Sequence, residues 1–308
     1  MTASVTLLGP QRQPTVDRVL QSLGVDGTVA TVTAGWQERE GDDAELSALL
    51  GGRAENLRLH ARWMAVLQAD RDYATLEREH HTVLDELQQL YVLRLDRALQ
   101  ATDEVAQRAD GHPRTRAMAL EDALEIVRRI DGMHLQRVRE LHAAFADAWR
   151  PQEHQEIARH RSEVHEVLRR SQCLVIAGGH VGELLRVLQL FSVAEHLPTR
   201  VVAWSAGAMA LSDRVVLFHD RVAQGTGQTE VLDEGLGVVR RLVLLPHARR
   251  RLRTDDLSRM AILARRFEPA RCVVLDDGIS LPLGPGGELP EGARVVASSG
   301  RIVDVGAA

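Results

Sequence analysis

The chain contains no lysine, and all 38 of its basic residues are arginine. This absence excludes a lysine nucleophile, a Schiff-base lysine and the lysine of a phosphate-binding P-loop. It also excludes a Ser-Lys dyad, so a serine nucleophile in this chain needs histidine as its base.

Aromatic residues are also scarce, and the chain carries no net positive charge. Aromatics make up 3% of the chain, too few for the stacking platforms of a protein that binds single-stranded nucleic acid. The formal net charge of −5 argues against a protein that coats DNA or RNA. We therefore expect no nucleic-acid partner, and the lack of aromatics favours a small, polar substrate.

Cysteines are few, and long apolar runs are absent. Cys173 and Cys272 lie inside apolar runs, which favours buried free thiols in a reducing compartment over a disulfide. No run approaches the roughly 18 apolar residues of a membrane span, and the N-terminus lacks the pattern of a signal peptide. The expectation is a soluble cytoplasmic protein without a membrane partner.

Three zones differ in their residue patterns. Residues 1–41 and 171–308 contain short apolar runs that alternate with helical stretches, the pattern of an α/β domain with a mostly parallel sheet flanked by helices. Residues 42–170 are rich in Ala, Leu, Glu and Arg at helical spacing. Turn signals near residues 51, 110 and 150 divide this zone into four or so helices. The sequence therefore predicts an α/β domain with a large all-helical insertion.

One predicted helix of the insertion, near residues 71–108, carries a stripe of aliphatic residues. Leu76, Val83, Leu87 and Leu90 share one face. Such a stripe predicts core packing against neighbouring helices, with a dimer seam as the alternative. A homodimer formed through the insertion is thus one possible assembly.

Chemically useful residues follow four predicted parallel strands, at 173–177, 201–204, 241–245 and 272–275. Ligands bind at the carboxyl ends of the strands in an open α/β sheet, so we expect these residues to converge on one edge. The tail at 280–283, 294–297 and 302–305 predicts a closing β-meander.

The segment Trp204-Ser205-Ala206-Gly207 follows the second of these strands. A serine among small residues at a strand-to-helix turn is typical of a nucleophile elbow, although Ala203 replaces the usual first glycine. The N–H of Ala206 would point at a developing oxyanion. The alternative is an ordinary tight turn.

The other three strand ends supply partners for such a serine. His247 follows an apolar strand and a proline, and Asp277, or Asp276, follows the last strand. An aspartate that orients the histidine is the third member of a catalytic triad. Gly178 and Gly179 would let backbone approach a substrate and would add a second oxyanion N–H. Taken singly, each is also explained as a strand cap or a turn.

These residues together resemble a known family. Residues 171–308, with the opening segment 3–35, are similar to the serine peptidases that include aspartyl dipeptidase and cyanophycinase, on a class I glutamine amidotransferase-like fold. The resemblance rests on four segments: Ala177-Gly178-Gly179, Ala203-Trp204-Ser205-Ala206-Gly207-Ala208, Leu245-Pro246-His247 and Leu275-Asp276-Asp277-Gly278.

The resemblance implies roles for individual residues. Ser205 would be the nucleophile, His247 the base, and Asp277 the acid in place of the family's usual glutamate, with Asp276 as the other choice. Gly179 and Ala206 would hold the oxyanion. Four further residues would contact substrate: Gly178, His180, Trp204 and Asp220. His180 stands where the family has Asn or Gln, which puts one substrate contact in doubt.

The resulting prediction is a serine hydrolase that cleaves a small peptide or amide through an acyl-enzyme. The alternative is an inactive relative whose helical insertion is a binding or oligomerisation scaffold. We expect no cofactor and no metal. His80-His81 and the set His154, His160 and His165 lack the spacing and the acid of a metal-ligand set.

Overall fold

The computed structural model describes residues 3–218 and 227–306. The architecture is mixed α/β with about 53% helix, well above the usual third of a globular chain. The excess comes from the region of the predicted insertion. An α/β fold with a mostly parallel sheet and a long helical stretch is therefore confirmed at this level of detail.

The strands are short and mostly apolar. In chain order they are β1 (Ser4–Leu8), β2 (Val29–Val32), β3 (Ala54–Asn56), β4 (Cys173–Ile176), β5 (Arg200–Trp204), β6 (Val215–Leu217), β7 (Glu230–Asp233), β8 (Leu242–Pro246), β9 (Arg271–Leu275), β10 (Ser280–Pro282), β11 (Arg294–Val296) and β12 (Ile302–Asp304).

The helices differ widely in length. They are α1 (Val16–Ser22), α2 (Ala44–Leu49), α3 (Leu59–Ala69), α4 (Arg71–Gln107), α5 (Pro113–Trp149), α6 (Gln155–Arg170), α7 (Val181–Leu190), α8 (Ala206–Leu211), α9 (Ala248–Arg251) and α10 (Leu257–Phe267). None of the helices in the two described ranges is both long enough and apolar enough to cross a membrane.

The larger sheet has the strand order β10-β1-β5-β4-β2-β3 and is parallel except for β10. Its central strands are buried on both faces, as expected from their apolar runs. In the β4–β5 register Ile176 lies beside Ala203. The chain segments that follow these two strands, at Gly178 and Ser205, therefore leave the sheet side by side.

The second sheet has the order β12-β11-β9-β8. β8 and β9 are parallel, with Pro246 beside Leu275, so His247 and Asp276 leave this sheet side by side as well. The prediction that all four strand ends lie on one sheet edge is wrong. β10 pairs antiparallel with β1 and forms that edge of the larger sheet, while β8 and β9 lie in the second sheet. The predicted β-meander is wrong for the same reason, because β10 leaves β11 and β12 as a separate hairpin.

The carboxyl ends of the two sheets nevertheless meet. The Gly9 N–H, just after β1, donates to the Ile279 carbonyl at 2.8 Å. A Cβ at Gly9 would lie 1.8 Å from the Asp276 carbonyl oxygen. Only glycine fits this contact, which holds the loop after β9 against the end of the larger sheet.

The insertion is dominated by an antiparallel hairpin of α4 and α5, each of 37 residues and therefore about 55 Å long at 1.5 Å per residue. Asp70 caps α4 by accepting the Tyr73 N–H at 2.9 Å, and Pro113 begins α5. Residues 42–170 contain five helices and also β3, which pairs with β2. The first part of the predicted insertion thus belongs to the larger sheet.

The aliphatic stripe on α4 is not part of the core. Leu76, Val83 and Leu90 are 40%, 45% and 62% exposed. The buried face of α4 instead carries Tyr91 and Leu95. The expectation of core packing is therefore wrong, because α5 covers a different face of the helix.

Both cysteines are buried and free, which confirms the prediction. Burial raises the pKa of each thiol to about 12. Neither is therefore a thiolate near neutral pH.

Candidate active site

Ser205 occupies a strained turn between β5 and α8. Its backbone has φ 51° and ψ −119°, a conformation that costs a non-glycine residue on the order of 1–3 kcal/mol. A Cβ at Gly207 would lie 2.4 Å from the Ile176 carbonyl oxygen, so the start of α8 packs directly on β4. The turn has the geometry expected of a nucleophile elbow.

Gly178 and Gly179 lie directly beside this serine. A Cβ at Gly178 would lie 2.9 Å from the Cβ of Ser205, and a Cβ at Gly179, whose φ is +133°, would lie 2.2 Å from the Gly35 carbonyl oxygen. Among the described residues, neither the Gly179 nor the Ala206 N–H donates a hydrogen bond. Both donors are therefore available beside the serine hydroxyl.

His247 is held at the end of β8 in a left-handed conformation, with φ 57° and ψ 33°. Its N–H donates to the Leu275 carbonyl of β9 at 3.1 Å. Burial lowers the pKa of the imidazole, the cationic Arg251 lowers it further, and the carboxylate of Asp277 opposes both. Near neutral pH the ring is therefore neutral, the form that a general base requires.

The two candidate acids have different surroundings. Asp276 accepts the Arg249 N–H at 3.1 Å, and its other oxygen lies 3.4 Å from the Arg249 Nε. It thereby fixes the start of α9. Asp277 is exposed, and of the two it is the one whose charge acts on His247.

The three predicted triad members share one region but are not hydrogen-bonded. Within residues 3–218 and 227–306, no hydrogen bond joins Ser205 to His247, or His247 to Asp276 or Asp277. In unliganded enzymes such contacts are often long and tighten when substrate binds.

The remaining predicted substrate residues are placed differently. The Nδ1 atom of His180 accepts the Glu183 N–H at 3.1 Å and so caps α7, while the ring stays exposed. Trp204 is 8% exposed at the end of β5. Asp220 lies outside the described residues.

Ser205, His247, Gly178, Gly179, His180 and Trp204 all line one cavity of about 1350 Å³. This volume exceeds the roughly 300–1000 Å³ of most small-molecule sites. Six of the ten aromatic residues line it: Trp36, Tyr73, Phe145, Trp149, Trp204 and Phe218. Aromatic side chains are therefore concentrated at the cavity, so the low aromatic content of the whole chain is a poor guide to the substrate.

The helical insertion forms the opposite wall of this cavity. Residues from α4 and α5 face the strand ends, among them His80, Asp85, His142 and Phe145. Sequence reasoning assigned none of them to the site. The His80-His81 pair was the available signal, but its partner His142 lies 61 positions further along the chain from His81 and is brought near only by the hairpin.

Metal-ligand geometry is absent from the described part of the chain. No group of three or more His, Cys, Asp or Glu side chains there is arranged to hold a metal ion. The histidines of the insertion are instead engaged with one another and with aromatic rings.

Comparison with protein-family models finds none that matches this chain, and comparison with curated proteins finds no significant match. The resemblance to the dipeptidase and cyanophycinase family therefore stays a prediction that rests on the four segments around the site.

Proposed function

We propose that this protein is a serine hydrolase that cleaves a peptide or amide through an acyl-enzyme. The strained backbone of Ser205 carries this proposal. Strain of about 1–3 kcal/mol in one residue often marks a functional site, and here it presents a hydroxyl to a large cavity beside two free N–H donors. The function agrees with that implied by the resemblance to dipeptidase-type serine peptidases.

The residues take the following roles in the proposed reaction. Ser205 Oγ attacks the substrate carbonyl while His247 accepts its proton and later gives it to the leaving amine. The N–H groups of Gly179 and Ala206 hold the oxyanion. Asp277, whose charge acts on His247, stabilises the imidazolium.

Two arginines favour a substrate that bears a carboxylate. Arg251 and Arg12 line the cavity, and both act electrostatically on His247. Arg251 is half-buried and, within the described residues, has no carboxylate at ion-pair distance. Its guanidinium lies 6.0 Å from the centroid of the Phe218 ring, and a bidentate substrate carboxylate would give it an anionic partner.

The finer fold assignment belongs to the same proposal. A central parallel sheet with the serine after one strand, the glycine pair after its neighbour and the histidine after a later strand is consistent with a class I glutamine amidotransferase-like domain. The separate β8–β9 sheet and the helical hairpin are the departures from that plan.

Labelling with a fluorophosphonate tests the nucleophile. We expect the native protein to carry the label on Ser205, detected by mass spectrometry, and Ser205→Ala to carry none. Ser22→Ala, which removes an exposed serine on α1, serves as the matched control and should label normally. Equal labelling of native protein and Ser205→Ala, or no labelling of either, refutes the assignment.

The open triad favours one second candidate, a binding or oligomerisation scaffold. The exposed face of α4 around Leu90 is the surface such a scaffold would use, including for a homodimer. An unlabelled native protein, together with a concentration-dependent mass that Leu90→Glu abolishes in sedimentation experiments, would favour the scaffold over the hydrolase.

A further inference from the structure

Three side chains that line the cavity, two from the insertion and one from β7, form a hydrogen-bonded chain. Asp233 Oδ2 on β7 lies 3.0 Å from His142 Nε2 on α5. His142 Nδ1 lies 3.1 Å from His80 Nε2 on α4. We refer to Asp233, His142 and His80 as the histidine relay.

When each ring of the relay carries one proton, the carboxylate determines which nitrogen donates at each step. A carboxylate only accepts hydrogen bonds, so His142 must donate from Nε2. A neutral His142 then accepts at Nδ1, and His80 must donate from Nε2. The Nδ1 atom of His80 is left with a free lone pair, and in the described part of the chain it has no hydrogen-bond partner.

The relay differs from the buried polar network elsewhere in the fold. Arg266, Asp131 and Tyr91 form a buried, hydrogen-bonded set, in which Arg266 donates to both Asp131 oxygens at 2.7 Å and to the Tyr91 hydroxyl at 3.1 Å. That set lies away from the cavity and joins α4, α5 and α10. The histidine relay ends instead on a half-buried ring that lines the cavity.

The surroundings of His80 hold its ring in place and keep it neutral. Phe145 stacks on it with centroids 4.4 Å apart. Burial is the main cause that lowers the pKa of His80 to about 4; the neighbouring His142, His81 and Arg186 act in the same direction, and Asp233 opposes them. The lone pair is therefore present near neutral pH, in a fixed orientation.

We propose that the histidine relay makes His80 Nδ1 a second general base in the cavity, supplied by the helical insertion and separate from Ser205 and His247. It would activate water or a hydroxyl-bearing nucleophile against an ester or other acyl compound bound there. A base of low intrinsic basicity suffices because the proton does not stay on His80.

The proton balance for an ester is as follows. His80 Nδ1 takes a proton from water as the water oxygen bonds to the acyl carbon, and the Nε2 proton of His80 passes to His142 Nδ1. His142 becomes an imidazolium held against Asp233. The acyl–oxygen bond breaks, the leaving group departs with the electron pair, and the proton on His142 returns through His80 to solvent.

The test uses p-nitrophenyl acetate and the full-length protein with Ser205→Ala, so that the serine route is removed. We expect residual hydrolysis above the buffer rate. His80→Gln should lower it by about 100-fold or more, the low end of what a general base contributes. Asp233→Asn, which is nearly isosteric, should lower it several-fold because a neutral amide stabilises the imidazolium poorly. His81→Gln is the matched control, since His81 also lines the cavity but contacts Arg186 at 3.3 Å.

Equal rates for the His80 and His81 variants, or no residual hydrolysis with Ser205→Ala, overturn the proposal. A second measurement does not depend on activity or on how the His80 variant folds. Nitrogen-15 NMR of labelled histidines in the Ser205→Ala protein should show His80 protonated on Nε2 alone, and a proton on Nδ1 contradicts the relay. Because every arm lacks Ser205, failure here is distinguishable from failure of the proposed serine hydrolase.

Discussion

Replacing Ser205 by glycine and by alanine separates the backbone strain of the elbow from the chemistry of the hydroxyl. Both variants remove Oγ and with it the proposed nucleophile. They differ only in whether a Cβ must be accommodated at φ 51°, ψ −119°. The difference in unfolding free energy between them therefore reports the strain of the turn.

The expected magnitude follows from two opposing effects. Glycine relieves a strain of about 1–3 kcal/mol, but its greater freedom in the unfolded chain costs about 0.5–1 kcal/mol. Ser205→Gly should therefore be more stable than Ser205→Ala by about 1 kcal/mol, or about 2 °C in Tm for a chain of this size.

Ser171 provides the matched control for this comparison. It ends α6 at φ −87°, ψ 139°, which any residue adopts without strain, and its hydroxyl donates to the Val167 carbonyl at 2.8 Å. At this position glycine should be less stable than alanine. Chemical denaturation of the four variants measures both differences. If glycine is also the less stable residue at Ser205, the turn stores no strain and the reasoning for an elbow fails.

Two further predictions concern the buried network and the pH dependence of the site. Asp131→Ala leaves Arg266, which is 3% exposed, without its counter-ion. We therefore expect the free energy of unfolding, measured in denaturant, to fall by about 3–5 kcal/mol. A fall of less than about 1 kcal/mol would mean that this ion pair does not hold the insertion to α10. Fluorophosphonate labelling requires neutral His247 and should decline only as pH falls below the ordinary pKa of histidine, because the pKa of His247 is lowered by burial and by Arg251. Arg251→Gln removes a cation and should move this profile to higher pH, whereas Asp277→Asn removes an anion and should move it to lower pH; shifts in the same direction would exclude the proposed electrostatics.

Much of the fold could be predicted from local pattern. The strands β4, β5, β8 and β9 form where apolar runs occur, because strands buried on both faces need apolar residues on both. The breaks near residues 51, 110 and 150 end or begin helices because glycine and proline do so by their own backbone chemistry. These properties belong to short segments and need no knowledge of the rest of the chain.

The pairing of elements could not be predicted in the same way. β10 is a three-residue segment whose Leu281 pairs with Leu7 across more than 270 residues, and no local signal selects β1 over β11. The exposure of the aliphatic stripe on α4 could not be predicted for the same reason, because it depends on which element packs against the helix. Helical periodicity shows which residues share a face, but the position of α5 decides which face is covered.

For the candidate site, the sequence by itself excluded lysine as a base for Ser205, since the chain has none, and it determined which residues follow each predicted strand. Only the tertiary structure decided that these residues come from two sheets that meet at Gly9. It also decided that Asp276 interacts with Arg249. The wall of the cavity opposite the strand ends is formed largely by the insertion. The histidine relay belongs to this second group. Its members are distant along the chain, and a hydrogen bond depends on position and direction within a few tenths of an ångström, which only the packing of α4, α5 and β7 supplies.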